Sequence, residues 1–286
     1  ASLLAANLVS LRSSAMPQAS SAALRAGHAA DHPLWARVLA DEKPVLIVMG
    51  DYYIFGELNA SGNVARMVRE FNVNSSSDLE DLRFSELERT EKYLDLDLSY
   101  MPEGSAFALA KIVPVLQKSG KTINISMMSD VTAADIRANH IVYIGYISAL
   151  DRLTGMVFAG SGLTVGRSYD ELLELSTARY FTSDAGLPEK GQAFRDYGFF
   201  SSLPSTHSSQ LVVVAGMRDA GLMHMAQALS ERESLDEIVL SLENDTDEAL
   251  GAVEALYEVF GVDRINFEGR LVYSHLLDSE SIWGGI

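Results

Sequence analysis

The chain lacks cysteine altogether, which excludes disulfides, thiolate metal ligands and cysteine nucleophiles. Positive charge is scarce, because 22 Lys and Arg residues stand against 39 Asp and Glu residues, giving a formal net charge of −17. Such a surface repels phosphate backbones, so we expect no direct nucleic-acid binding by this chain. No apolar run approaches the ~20 residues that a membrane-spanning helix needs.

The 286 residues are 48% hydrophobic and 21% charged, which is typical of a globular protein. Residues 1–43 are rich in Ala and Ser and predict a partly flexible arm with one short helix around Leu34–Ala40. Because the chain starts at Ala1 rather than Met, we expect a processed or truncated product. Whether a membrane or DNA-binding segment lies upstream is left open. The compartment is also left open, as either the periplasmic side of the inner membrane or the cytoplasm.

The folded part of the chain is predicted to begin at Pro44. Val45–Met49, Ile141–Gly145 and Leu211–Gly216 are short continuous apolar runs, the pattern of strands covered on both faces. Helical patterns separate them, notably Ser105–Ser119 with a kink expected at Pro114, and a Met-rich stretch over 219–230. This alternation predicts an α/β fold class, with a mostly parallel sheet flanked by helices.

Antiparallel additions are expected at 178–203 and in a C-terminal hairpin, Arg264–Phe267 with Arg270–Leu276, turning at Glu268-Gly269. Acidic residues 243–248 are interpreted as the start of a helix that ends near Phe260. The whole forms one predicted α/β domain over 44–286. A division into lobes 44–145 and 146–286 is one option.

Ligands of open α/β sheets bind beyond the carboxyl ends of the strands, where loops lead into helices. That rule selects the loops near 50–53, 102–105, 128–130, 145–148 and 216–219, and the helix N-terminus at 102–105 is a candidate anion site. Together they predict a small-molecule crevice with aromatic walls and polar anchors. The candidate ligand-binding residues are Asp51, Tyr52, Tyr53, Ser105, Ser129, Asp130, Tyr146, Ser148, Arg218 and Asp219.

The motifs typical of catalytic or cofactor-binding sites occur here only in incomplete form. Asp95-Leu96-Asp97-Leu98-Ser99 has the D-x-D-x-[ST] spacing of some phosphatases but follows a polar stretch, so surface-strand alternation explains it better. Gly160–Gly166 has Val165 where the third glycine of G-x-G-x-x-G belongs. His28 and His32 have a metal-ligand spacing but lie in the arm. We therefore expect no cofactor and no metal.

Four stretches, all between 50 and 225, carry a family resemblance: Gly50–Glu57, Asn139–Gly145, Arg195–Gly198 and Ala215–Leu222. They resemble the sensor portion of bacterial winged-helix transcriptional regulators, which is often joined to the DNA-binding part through a membrane segment. The resemblance implies a ligand- or partner-sensing module, loosely similar to the lobes of periplasmic binding proteins. No basic helix-turn-helix is present in this chain.

The leading hypothesis is a non-enzymatic sensor domain that binds a small polar or anionic molecule. Tyr52, Tyr53 and Tyr146 would stack on it, serine hydroxyls would donate hydrogen bonds and Arg218 would supply charge. One alternative is a hydrolase or transferase that uses Asp51 or Asp130 as an acid or base. Another is a protein–protein assembly module, for example a homodimer formed through the Met-rich helix or the terminal strand Arg270–Leu276.

Overall fold

A computed structural model of the chain describes residues 29–85, 92–186, 190–205, 208–242, 250, 252–263 and 265–277. The predicted arm up to residue 28 and the acidic stretch 243–248 lie outside these ranges. The described strands are β1 (Val45–Met49), β2 (Tyr52–Leu58), β3 (Val64–Val68), β4 (Tyr93–Tyr100), β5 (Ile123–Met127), β6 (His140–Tyr146), β7 (Leu163–Val165), β8 (Glu171–Glu174), β9 (Tyr180–Thr182), β10 (Ala193–Pro204), β11 (Gln210–Gly216), β12 (Val253–Val262) and β13 (Ile265–Leu276). The described helices are α1 (Pro33–Leu39), α2 (Ser76–Ser85), α3 (Glu103–Gln117), α4 (Ala133–Ala138), α5 (Thr154–Ala159), α6 (Asp219–Ala228) and α7 (Arg232–Ser241).

A seven-stranded mixed sheet forms the centre, in the order β13-β12-β10-β11-β6-β1-β5. Strands β5, β1, β6 and β11 are mutually parallel, and β10, β12 and β13 extend the sheet in antiparallel fashion. Every residue of β1 and β11 is buried, as expected for strands covered on both faces. The predicted α/β fold with antiparallel additions is confirmed.

Two hydrophobic clusters cover the two faces of this sheet. One face packs against α1, α3, α6 and α7 through residues such as Trp35, Ile112 and Met225. The other packs against the segment from Val131 to Phe181, which includes the strands β7, β8 and β9. Helix α1 confirms the short helix expected around Leu34–Ala40, and it belongs to the core because Leu34, Trp35 and Val38 are buried.

Two small antiparallel sheets are inserted around the carboxyl ends of the parallel strands. The sheet β3-β2-β4 follows β1 directly, and β7-β8-β9 follows α5. In the first of these, Phe55, Val73 and Leu79 make a separate small core. These two sheets bring residues that are distant in sequence close to the carboxyl ends of the parallel strands.

The C-terminal predictions need two corrections. Residues 253–262 form the strand β12 rather than the end of a helix, because it pairs with β10 on one side and β13 on the other. On this strand Glu254 and Glu258 are both buried and held by hydrogen bonds. Likewise, β13 runs unbroken from 265 to 276 through Glu268-Gly269, so the hairpin is β12–β13 and not a turn inside the last strand.

Three helical segments have distinct local features. Helix α4 is capped by Thr132 and Asp135 in a reciprocal capping box, and Asp130 lies in the preceding 3-10 turn. After β6, two 3-10 turns precede α5. Helix α3 continues through Pro114 to Gln117. Among the described helices, none has the length and apolar character to cross a membrane.

Candidate functional site

A cavity of about 910 Å³ opens where β6 and β11 end and the sheet β3-β2-β4 begins. Its volume is within the range of small-molecule sites. Its walls combine aromatic rings, three arginines and two aspartates: Tyr52, Arg69, Phe71, Tyr100, Pro102, Tyr146, Ser148, Val165, Gly166, Arg167, Ser168, Tyr169, Asp170, Arg218 and Asp219.

Three tyrosines form the inner wall. Tyr52 at the start of β2 is the cross-strand partner of Tyr100 at the end of β4, so their rings stack with centroids 5.2 Å apart. Tyr146, the last residue of β6, meets Tyr52 edge-on at 6.4 Å. Burial raises the pKa of Tyr52 to about 12, and its hydroxyl shares a short hydrogen bond with Ser148. This wall is therefore neutral and pre-formed.

Two loops meet over the mouth of the cavity. One follows β3 and carries Phe71, and the other, between β7 and β8, carries Tyr169. Their rings lie 5.5 Å apart, although the Phe71 side chain keeps 59% of its surface exposed. This ring contact joins the loop after β3 to the β7–β8 loop beside the cavity.

Arg218 and Asp219 line the cavity but already have protein partners. Arg218 binds Asp170 in a two-point ion pair, with Nε–Oδ1 at 2.7 Å and Nη2–Oδ2 at 2.6 Å, and this contact raises the pKa of Arg218. Asp219 accepts the backbone N–H of Gly104 at 2.8 Å. The helix N-terminus predicted as an anion site is therefore satisfied by a carboxylate of the protein itself.

Arg69 differs from the other arginines of the cavity in its partners. Its Nη1 donates to the carbonyl of Val73 at 2.7 Å and its Nη2 to Oδ1 of Asn74 at 2.7 Å. The guanidinium lies over the Tyr52 ring, 5.2 Å from the centroid. Among the described residues, no ion pair involves Arg69; the neighbouring Glu70 carboxylate exerts only a weaker coulombic effect, and burial lowers the pKa of Arg69 from the usual value. A guanidinium remains charged in proteins, so Arg69 presents to the cavity a positive charge that no ion pair with a described residue neutralises.

A fully buried carboxylate supports the helix that carries part of the site. Asp196 on β10 accepts the N–H of Gly221 at 2.6 Å and the hydroxyl of Ser183 at 2.8 Å. Gly221 is the third residue of α6, so Asp196 caps the helix that positions Arg218 and Asp219. Burial raises the pKa of Asp196 to about 6 despite these hydrogen bonds.

The structure brings together five of the ten predicted site residues, namely Tyr52, Tyr146, Ser148, Arg218 and Asp219. The other five lie elsewhere. Asp51 accepts the N–H and hydroxyl of Ser129 and so links the ends of β1 and β5, and Asp130 is exposed beside them. Tyr53 follows Tyr52 on a strand, so it points to the opposite face and donates to Asp95 at 2.8 Å. Ser105 is fully buried, and its hydroxyl has no hydrogen-bond partner among the residues that the structure describes.

Apart from Pro102 in the selected loop 102–105, the remaining lining residues were not predicted. Arg69, Phe71 and Tyr100 come from the inserted sheet β3-β2-β4 and its loop, Val165 from the end of β7 and residues 166–170 from the β7–β8 loop. One sequence signal was available, because the incomplete glycine motif 160–166 ends in this loop. The start of that motif is structural, since Ser161 and Gly162 donate to the buried Glu254.

Among the described residues, no group of three or more His, Asp or Glu side chains is arranged to hold a metal ion. Comparison with known proteins found no matching family model, no matching curated protein and no matching solved structure. The function is therefore inferred from the geometry of this cavity.

Proposed function

We propose that this chain is a non-enzymatic sensor domain that binds a small anionic organic molecule in the cavity between β6, β11 and the sheet β3-β2-β4. The observation that carries the proposal is Arg69, which lines the cavity and whose guanidinium, within the described residues, is hydrogen-bonded only to neutral carbonyl and amide oxygens. An anion at this position would offset the cost of burying the guanidinium. The adjoining rings of Tyr100 and Tyr146 supply flat apolar surface for the rest of the ligand.

The location of the family-like stretches supports a role in regulation. Gly50–Glu57 contains Tyr52, Ala215–Leu222 contains Arg218 and Asp219, and Arg195–Gly198 contains the helix-capping Asp196. Three of the stretches that resemble bacterial regulator sensors thus surround or support one cavity. In a regulator, ligand binding would change the equilibrium between conformations of the segments over the cavity mouth.

The geometry favours binding over the hydrolase or transferase alternative. Asp51 and Asp130, the acids proposed for that chemistry, do not line the cavity, and both carboxylate oxygens of Asp51 are engaged by Ser129. One observation supports the assembly alternative: β13 is at the edge of the central sheet, and an edge strand can pair with a strand of another chain. The Met-rich helix α6 offers less, because Leu222, Met225 and Ala226 are buried in the core.

The proposal is tested by native mass spectrometry of gently purified protein, followed by thermal unfolding with a panel of anionic metabolites. A ligand at 100 times its dissociation constant adds about 2.7 kcal/mol of stability, which raises the melting temperature by roughly 5–10 °C. Arg69→Gln should abolish this rise. The matched control is Arg66→Gln, because Arg66 lies three residues earlier on β3, pairs with Glu57 and does not line the cavity.

Two results would contradict the proposal. One is a chain that retains no small molecule and shows no thermal shift with any member of the panel. The other is an equal shift in the Arg69→Gln and Arg66→Gln variants, since binding would then take place away from the cavity.

A further inference from the structure

The ion pair between Arg218 and Asp170 has the geometry of a bound ligand carboxylate. Both oxygens of Asp170 meet the guanidinium fork, at 2.7 and 2.6 Å, and both side chains line the cavity. Planar two-point contacts of this kind are how arginine recognises carboxylates in general. Asp170 therefore occupies a position that a ligand could take.

This pair is not required to hold the fold together. The side chains of Arg218 and Asp170 are 38% and 35% exposed, and ion pairs at such positions contribute little to stability. The other two aspartates near the cavity cap helices, since Asp219 binds the N–H of Gly104 and Asp196 that of Gly221. Within the described ranges, the Asp170 carboxylate is bound only by Arg218.

The Asp170 side chain can leave without moving its loop. The backbone of Asp170 is held by Ser183, whose N–H donates to the Asp170 carbonyl at 2.8 Å. The next residue, Glu171, donates its N–H to the carbonyl of Ser168 at 3.1 Å. A rotation of the carboxylate away from Arg218 breaks neither hydrogen bond, so exchange with another carboxylate is sterically simple.

We infer that the ligand is a planar aromatic carboxylate, whose carboxylate replaces Asp170 on Arg218, so that Asp170 is an internal competitor that lowers the affinity of the site. This inference rests on the proposed function and names the chemical class of the ligand. The ring is accommodated by Tyr146, Tyr169 and Tyr100, the last with 44% of its surface exposed. Exchange of one carboxylate for another leaves the charge balance at Arg218 unchanged.

The probe is anthranilate, a fluorescent aromatic carboxylate, titrated by fluorescence anisotropy against its neutral counterpart anthranilamide. Asp170→Asn keeps the shape of the side chain and removes its charge, so it should tighten anthranilate binding by roughly two- to fivefold and leave anthranilamide binding unchanged. Adding Arg218→Gln to Asp170→Asn should remove this gain. Glu174→Gln on the adjacent β8 is the matched control for net charge, since Glu174 does not line the cavity, and it should change affinity less than about twofold.

The outcomes separate this inference from the proposed function. If Asp170→Asn binds anthranilate no more tightly than the unmodified chain, while Arg69→Gln still weakens binding, the competitor role is refuted and the binding site stands. A gain that persists when Arg218 is replaced, or that extends to anthranilamide, also refutes it. If no variant binds anthranilate saturably, the aromatic carboxylate class is refuted, and the metabolite panel alone decides the proposed function.

Discussion

Replacement of Asp196 by asparagine should stabilise the protein at neutral pH. Asp196 is fully buried, and its two oxygens accept the N–H of Gly221 and the hydroxyl of Ser183. An asparagine oxygen can accept from Gly221 in the same way, and its amide can donate to Ser183, because a hydroxyl is both donor and acceptor. The substitution thus keeps the helix cap and removes a buried charge.

The size of the effect follows from the pKa of Asp196, which burial raises from 3.8 to about 6. Below 3.8 the folded and unfolded states both carry the proton, and above about 6 both have lost it. Between these values the folded state binds more protons, so the contribution of Asp196 to stability is fully present at the lower pH and is lost as pH rises through about 6. At about 1.4 kcal/mol per tenfold change in proton affinity, the loss is about 3 kcal/mol.

Urea unfolding at a series of pH values between about 4 and 8 measures this loss directly. The difference in unfolding free energy between Asp196→Asn and the unmodified chain should be near zero at the acid end. It should grow to at most about 3 kcal/mol in favour of the variant above pH ~7. The contributions of the other titrating groups to the unfolding free energy cancel in this difference, because both proteins contain the same groups.

The control is Asp130→Asn, the same change at an exposed position, where a substitution usually alters stability by less than about 0.5 kcal/mol. The reasoning is refuted if Asp196→Asn is less stable than the unmodified chain at neutral pH and by the same amount at acid pH. That result would mean that the folded and unfolded states bind the Asp196 proton equally well, so that the hydrogen bonds and the helix offset the cost of burying the charge.

Two further substitutions test the packing that supports the site. Gly104→Ala should lower the free energy of unfolding in urea by roughly 1–3 kcal/mol, because the added Cβ would lie 2.4 Å from Oδ1 and 3.1 Å from Cα of Asp219. The control is Gly155→Ala, where an added Cβ has no atom within 4 Å. Trp35→Ala should lower the free energy of unfolding by about 3–5 kcal/mol, since Trp35 is 1% exposed and its indole donates to the carbonyl of Leu229 at 3.0 Å. A decrease of less than about 1 kcal/mol would show that α1 is not part of the folded core.

The parallel core could be predicted because its signal is local. The runs in β1, β6 and β11 are apolar on both faces, a pattern that few other structures produce. Strand β12 could not be predicted in the same way, because Glu254 and Glu258 interrupt its apolar run. Their burial depends on partners from distant segments, such as Ser161 for Glu254 and Arg270 for Glu258.

For the site, the rule about strand ends identified Tyr146, Ser148 and Arg218, which follow or end buried strands. It also selected Tyr53, because residue type alone does not reveal which of two adjacent tyrosines faces the cavity. The strand pleat sends Tyr52 inward and Tyr53 to Asp95. Arg69 had no comparable signal, since only the folding of an inserted sheet brings it over Tyr52.

In this acidic chain, the protein's own carboxylates occupy the usual anion sites near the cavity. The N-terminus of α3 is bound by Asp219, that of α6 by Asp196, and the guanidinium of Arg218 by Asp170. Only the last of these contacts is partly exposed and free of backbone donors, so only it can be exchanged at low cost. In the proposed binding mode, an anion would meet Arg69 directly and Arg218 by displacement, while Arg167 stays bound to Glu171. Selectivity then depends on how well one molecule satisfies both guanidinium groups and the tyrosine rings around them.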